Sequence, residues 1–213
     1  MVAVVKICGI TTVEDAVAAV EAGATAIGFN FYPGSPRFVS VERAREIVGR
    51  LKGGCSQDWL PHQGVQQQGV LKVGVFVGER AERVAEIMRE AEMDVAQVHG
   101  GEYPHEVRVW AAFRAGDPGL RETMDAGVAE AFLVDTPSTT LHGGTGQTFD
   151  WSLAAGLPGR IVLAGGLDAG NVREAIRKAR PWGVDACSRL ESTPGRKDHV
   201  KIRRFVEAAL TEE

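Results

Sequence analysis

An α/β fold, a single-domain TIM (β/α)8 barrel, is what this 213-residue sequence predicts. Three observations predict it. Short apolar runs of strand length alternate with segments of helical period from end to end. The runs number eight, the count that closes a barrel. No stretch of linker composition divides residues 1–213 into two domains. The length lies near the lower end of the ~200–400 residues such barrels occupy. An open doubly wound sheet is the alternative arrangement of the same alternation.

The first predicted strand, residues 4–7, is the apolar run that ends at Cys8-Gly9. Thr11 and Glu14 have the spacing of a capping box, Val13, Ala16, Val17 and Val20 repeat with helical period, and Gly23 stands where that helix stops. The second strand is 26–29, and Ala44, Ile47, Val48 and Leu51 make the next apolar helix face. The third strand is 72–77, followed by the face of Val84, Ile87, Met88 and Ala91. Strands four (95–99) and five (109–113) are followed by segments in which Gly and Pro interrupt the helical pattern. Strand six is 131–135, strand seven 161–164 and strand eight 183–187. Val172, Ala175, Ile176 and Ala179 form the helix face after strand seven, and Ile202, Phe205, Val206 and Ala209 the last one. Residues 53–69 break this rhythm: they are polar, Gly-rich and aperiodic, and predict an extended loop between the second helix and third strand. Such a loop lies on the face opposite a barrel's active site, so Cys55 and His62 are read as surface residues without chemistry.

Composition narrows the function. A formal net charge of −4, without a basic stripe, argues against a nucleic-acid partner. Three scattered cysteines fit neither a disulfide framework nor a zinc site and point to a reducing, cytoplasmic compartment. No apolar run approaches the ~20 residues that span a bilayer, and no signal peptide is read at the N-terminus. Monomer and homodimer both remain open.

In a parallel barrel the chemistry belongs to strand ends and the loops after them. Cys8 ends strand one, and Asp135 ends strand six. A thiol and a carboxyl facing one substrate from two sides can take a proton from one atom and give one to another. Asp135 also reads as a turn residue, since Asp-Thr-Pro is good turn chemistry. The long segment 136–149 after it favours a binding role. Gly143–Gly146 and Gly165-Gly166 follow neighbouring strands and leave backbone N–H groups unobstructed for a phosphate. Arg37 lies in a loop stiffened by two prolines, where it reads either as a carboxylate clamp or as a solvated arginine. His99 reads as a core residue. There is no metal-ligand motif, phosphate-loop lysine or dinucleotide fingerprint, so no cofactor is expected.

These residues stand in motifs that resemble one family. Lys6-Ile-Cys-Gly-Ile-Thr11, Ser35-Pro-Arg-Phe-Val39, Val73-Gly-Val-Phe-Val77, Gln97-Val-His-Gly100, Gly143-Gly-Thr-Gly146, Leu163-Ala-Gly-Gly-Leu167 and Pro194-Gly-Arg-Lys-Asp198 occur in the order of the phosphoribosylanthranilate isomerases. The resemblance covers nearly the whole chain. It implies a cofactor-free TIM barrel of tryptophan biosynthesis that performs an Amadori rearrangement on a small phosphosugar substrate. It implies Cys8 as general base, Asp135 as general acid and Arg37 as the holder of the anthranilate carboxylate. Gly144, Gly146, Gly165, Gly166 and Ser188 fall in the phosphate segments. One departure is Ser188-Arg-Leu-Glu191, where the family usually has Ser-Gly-Val-Glu, so Arg189 replaces a glycine. Another phosphosugar barrel enzyme and a non-catalytic phosphate-binding relative are the alternative readings.

Overall fold

The computed structural model describes residues 2–54, 69–135 and 151–211. Eight parallel strands close into a barrel in sequence order: β1 (Val4–Ile7), β2 (Ala26–Asn30), β3 (Leu71–Val77), β4 (Val95–His99), β5 (Val109–Arg114), β6 (Ala131–Asp135), β7 (Ile161–Ala164) and β8 (Gly183–Ala186). β1 pairs with both β2 and β8, which removes every sheet edge. Among the described residues six helices surround the barrel: α1 (Val13–Glu21), α2 (Val41–Gly54), α3 (Ala81–Glu90), α4 (Gly119–Ala126), α5 (Val172–Ala179) and α6 (His199–Leu210). A short hairpin, β9 (Glu191–Thr193) and β10 (Arg196–Lys197), stands between β8 and α6.

Two apolar layers follow from the two faces of each strand. Val4, Ala26, Val73, Val95, Trp110, Leu133 and Val162 fill the barrel interior. Val5, Ile7, Ile27, Phe76, Val98, Val134 and Val184 face outward against the helices. Each buried Val, Leu, Ile or Phe contributes about 1.5–3 kcal/mol, so both layers stabilise the barrel.

Three expectations are corrected. The eightfold repeat of strand and helix is incomplete, because no helix separates β4 from β5; the Gly- and Pro-containing stretch there crosses directly. The first helix is capped one residue later than the spacing suggests. The Thr12 hydroxyl accepts from the Asp15 amide at 3.1 Å, while the Thr11 hydroxyl is drawn off to donate to the Gly195 carbonyl. The second helix runs through Gly53 and Gly54, the first two residues of the expected loop. The rest of that loop, with Cys55 and His62, lies outside the described residues.

Candidate active site

The site is built on the inward faces of β1 and β8. Side chains alternate along a strand, so Val4, Lys6 and Cys8 point into the barrel from one edge of this pair. Register sets Val4 against Gly183 and Lys6 against Asp185. The Cys8 amide then donates to the Ala186 carbonyl at 2.9 Å, which makes Cys8 and Cys187 the next step of the same ladder. Space for this column is left by Gly28 on β2: a Cβ there would stand 2.9 Å from the Cys8 sulfur and 3.0 Å from Lys6 Nζ.

Lys6 is fully buried and pairs with Asp185 Oδ1 at 2.9 Å. Burial alone would drive its ammonium to give up the proton; Asp185 and then Cys8 beside it reverse this and hold it charged. The Cys8 thiol is pushed down to about 6. The hydrogen bond from the Cys187 thiol is the main cause; it and the Lys6 charge outweigh the opposing effect of burial. Cys187 moves well upward, because it donates to Cys8 and is buried. The two thiols are thus shifted in opposite senses, Cys8 toward losing its proton and Cys187 toward keeping it. A thiol shifted this way is largely thiolate near neutral pH, which suits Cys8 to accept a proton at the mouth.

This arrangement has a measurable consequence. A base must be deprotonated, so kcat/KM is expected to fall as pH drops through about 6. A hydrogen bond to a charged group is worth ~1.5–3 kcal/mol, or about one to two pH units. Cys187→Ala is therefore expected to move the acidic limb of the kcat/KM profile upward by about that much, while Cys187→Ser, which keeps a donor, moves it less. An acidic limb unmoved in Cys187→Ala would contradict the thiol pairing.

Asp135 occupies the carboxyl end of β6, separated from β1 by β7 and β8. Its side chain reaches solvent, yet burial on its inner side raises its pKa above the usual carboxylate value, and the Asp185 charge adds to the rise. The environments of Cys8 and Asp135 therefore push in opposite senses, one toward losing its proton and the other toward keeping it. Such a divergence is the pattern expected of a base and an acid sharing one site.

Arg37 is held in the loop after β2. Phe38 bridges to Asn30, and the Arg37 amide donates to Ser35 Oγ at 3.1 Å. Its Nε and Nη2 both donate to Glu191, each at 2.7 Å, in a two-pronged pair. Nη1 has no protein partner among the described residues, which leaves the end of the guanidinium open.

Gly165 and Gly166 follow β7 in a left-handed turn, φ 101° and 59°, and Ser188 follows β8 next to it. The Gly166 carbonyl accepts from the Asn171 side-chain Nδ2. Arg189 is exposed and reaches Asp168 Oδ2 at 3.5 Å, across the loops after β7 and β8. Gly144 and Gly146 lie outside the described residues. His99 is hydrogen-bonded to the Gln97 amide at 2.7 Å and is pushed down to about 4 by burial, so it is neutral. A depression lined by Leu157, Gly159, Lys178, Arg180 and Trp182 adjoins the amino ends of β7 and β8 and carries none of these acid–base groups. Among the described residues no three His, Cys, Asp or Glu side chains converge in a way that could hold a metal ion.

Sequence reasoning missed Lys6, Asp185, Cys187, Glu191 and Lys197 as parts of the site. A signal existed for the first: Lys6 is a charge at an inward position of an apolar strand, two residues from Cys8.

Comparison with known proteins gives this geometry a context. The sequence pattern of N-(5'phosphoribosyl)anthranilate (PRA) isomerase matches residues 5–208. N-(5'-phosphoribosyl)anthranilate isomerase of Solibacter usitatus is 50% identical over 210 residues, covering 97% of this chain and 96% of its own. That of Rubrobacter xylanophilus is 47% identical, covering 96% and 98%. The crystal structure of phosphoribosyl anthranilate isomerase from Thermotoga maritima superposes with a TM-score of 0.78 at 38% identity, covering 98% of both chains. A solved phosphoribosyl anthranilate isomerase in complex with reduced 1-(o-carboxyphenylamino)-1-deoxyribulose 5-phosphate superposes with a TM-score of 0.74 at 36% identity, again covering 98% of both chains.

Proposed function

The chain belongs to the N-(5'-phosphoribosyl)anthranilate isomerase family, and from that membership and the geometry of the barrel mouth we propose how its own residues perform the isomerisation. The protein is an isomerase of tryptophan biosynthesis; its reaction turns N-(5-phosphoribosyl)anthranilate into 1-(2-carboxyphenylamino)-1-deoxyribulose 5-phosphate. Asp135 gives a proton to the ring oxygen as the furanose C1–O bond breaks. The electron pair on the anthranilate nitrogen forms the Schiff base, whose positive charge acidifies the C2–H. The Cys8 thiolate takes that proton, the C2–C1 bond gains double-bond character, and the resulting enol-amine tautomerises to the ketone. Each step is a proton transfer or an internal shift of electrons, so two side chains of opposite protonation suffice.

The observation that carries this reading is the placement of Cys8 just after β1 and Asp135 at the end of β6, with their pKa values shifted in opposite senses, down and up. Lys6 beneath the thiolate and Cys187 beside it keep the base ready without being consumed. Arg37 is the group for the anthranilate carboxylate, since its open end points away from Glu191. Gly165, Gly166 and Ser188, with Gly144 and Gly146, are the phosphate segments, supported by their place after strands six to eight. The three scattered cysteines favour the reducing cytoplasm as the compartment, and among the described residues no helix is long and apolar enough to cross a membrane. The substrate is a small molecule, and monomer and dimer are both compatible with this reading.

The test is growth. Expression in a bacterium lacking this isomerase step is expected to restore growth without tryptophan, and expression of the Cys8→Ala, Asp135→Asn double variant is not. Failure of the intact protein to rescue, while accumulating in folded form, would contradict the proposal.

A further inference from the structure

The segment Pro194-Gly-Arg-Lys-Asp198 has no part in the proton transfers, yet its hairpin reaches the site. Glu191 and Lys197 are paired across β9 and β10. The Glu191 carboxylate is almost fully buried and accepts four hydrogen bonds: two from Arg37, one from Lys197 Nζ at 3.1 Å and one from the Gly195 amide at 3.4 Å. Lys197 is fully buried. Besides Glu191, its ammonium faces the Cys187 carbonyl at 3.1 Å and the Cys187 sulfur at 3.8 Å. An ammonium has three donors, and all three are thus aimed at protein.

The hairpin is itself fastened. A Cβ at Gly195 would stand 3.0 Å from the carbonyl of Pro36, the residue before Arg37. The Gly195 carbonyl accepts from Thr11, the Lys197 amide donates to Asp15 Oδ2 at 3.2 Å, and Lys201 Nζ donates to the Glu191 carbonyl at 2.8 Å. Glu191 is therefore a fixed point, and Arg37 is the movable partner drawn onto it.

Arg37 and Lys197 are positive, and Glu191 is the carboxylate between them. Lys197 is sealed by protein, so the part of this trio left open is the Nη1 end of the Arg37 guanidinium. The Glu191 fork uses the Nε/Nη2 edge of that group, which leaves the Nη1 end at a set angle for a second carboxylate. Two-pronged pairing fixes a plane, and a plane fixes where the next anion can dock.

We propose that Glu191 and Lys197 are positioning residues for substrate selection: they lock the Arg37 guanidinium so that its free end recognises the carboxylate of the aromatic amine. This rests on the assignment of Arg37 to the anthranilate carboxylate. A purely electrostatic view predicts the opposite sign for Glu191, because removing a competing anion would strengthen Arg37's hold on the substrate. Geometry and charge can thus be told apart by the direction of the change.

The experiment compares two substrates in each variant: N-(5-phosphoribosyl)anthranilate and the phosphoribosylaniline that lacks the carboxylate. The quantity read is the ratio of their kcat/KM values, which is independent of the fraction of protein folded. In the unaltered protein the ratio is expected to favour the carboxylate by at least about tenfold, the scale of a charge-assisted hydrogen bond. Arg37→Ala is the control: a ratio that stays unchanged in it would refute the Arg37 assignment, and this inference with it. With that control collapsed as expected, Glu191→Gln is expected to lower the ratio by about tenfold through KM, with kcat for the anthranilate substrate little changed. Lys197→Met, which removes the buried ammonium that helps fix Glu191, is expected to lower it in the same direction. A ratio unchanged or raised in Glu191→Gln would overturn the positioning role while leaving Arg37's own role standing.

Discussion

Cys8→Ala is expected to lower kcat by about 10²- to 10⁴-fold, the range for loss of a positioned general base. The reason is the absence of a substitute in the same column. Lys6 lies directly below, but its pairing with Asp185 keeps it an ammonium, which has no lone pair to accept a proton. Cys187 is the one neighbour that changes character. Its thiol stays protonated mainly because it donates to Cys8, so removing Cys8 frees it to ionise at lower pH. A residual activity in Cys8→Ala that disappears in the Cys8→Ala, Cys187→Ala double variant is therefore expected. Binding of reduced 1-(o-carboxyphenylamino)-1-deoxyribulose 5-phosphate, measured by calorimetry, should survive in both, because the proton-accepting sulfur adds little to ground-state affinity. Near-normal turnover in the single variant at pH 7 would remove Cys8 from the mechanism.

Asp135→Asn is expected to cost about as much in kcat, again about 10²- to 10⁴-fold, since the amide keeps the shape and has no acidic proton to give. The backbone of Asp135 is tied into the sheet, its carbonyl accepting from the Ala115 amide at 2.8 Å, and this bond does not depend on the side chain. The melting temperature should then change little. The competing reading, that Asp135 is a turn former, reverses both outcomes: activity retained and stability lost. Steady-state kinetics with a thermal melt on one preparation separates the two.

The barrel was legible because its signal is repeated. Four strands, Val4–Ile7, Val95–His99, Ala131–Asp135 and Ile161–Ala164, have the bounds read from the sequence, and the other four differ by a residue at one end. The missing helix after β4 fell where Gly and Pro had already weakened the pattern. Cys8, Asp135 and Arg37 could be named because each stands at a strand end or in the loop after one. What surrounds them was not legible, for a physical reason. Lys6 and Asp185 are 179 positions apart in sequence and become partners only when β8 closes onto β1. Cys187 was counted among scattered cysteines, and only closure of the barrel brings its sulfur beside Cys8. Glu191 and Lys197 belong to a hairpin too short to give a periodic signal, and their role depends on a loop more than 150 residues earlier. Contacts made by ring closure leave no local trace in a single sequence.

Turnover of freshly prepared N-(5-phosphoribosyl)anthranilate by the purified protein, followed by loss of the substrate's anthranilate fluorescence with the product identified by mass spectrometry, tests the isomerase activity most directly. The predicted result is rapid conversion to the carboxyphenylamino-deoxyribulose phosphate, without added metal or cofactor, with a rate that falls away as the pH drops through about 6. Fluorescence loss no faster than with the Cys8→Ala, Asp135→Asn double variant would contradict it.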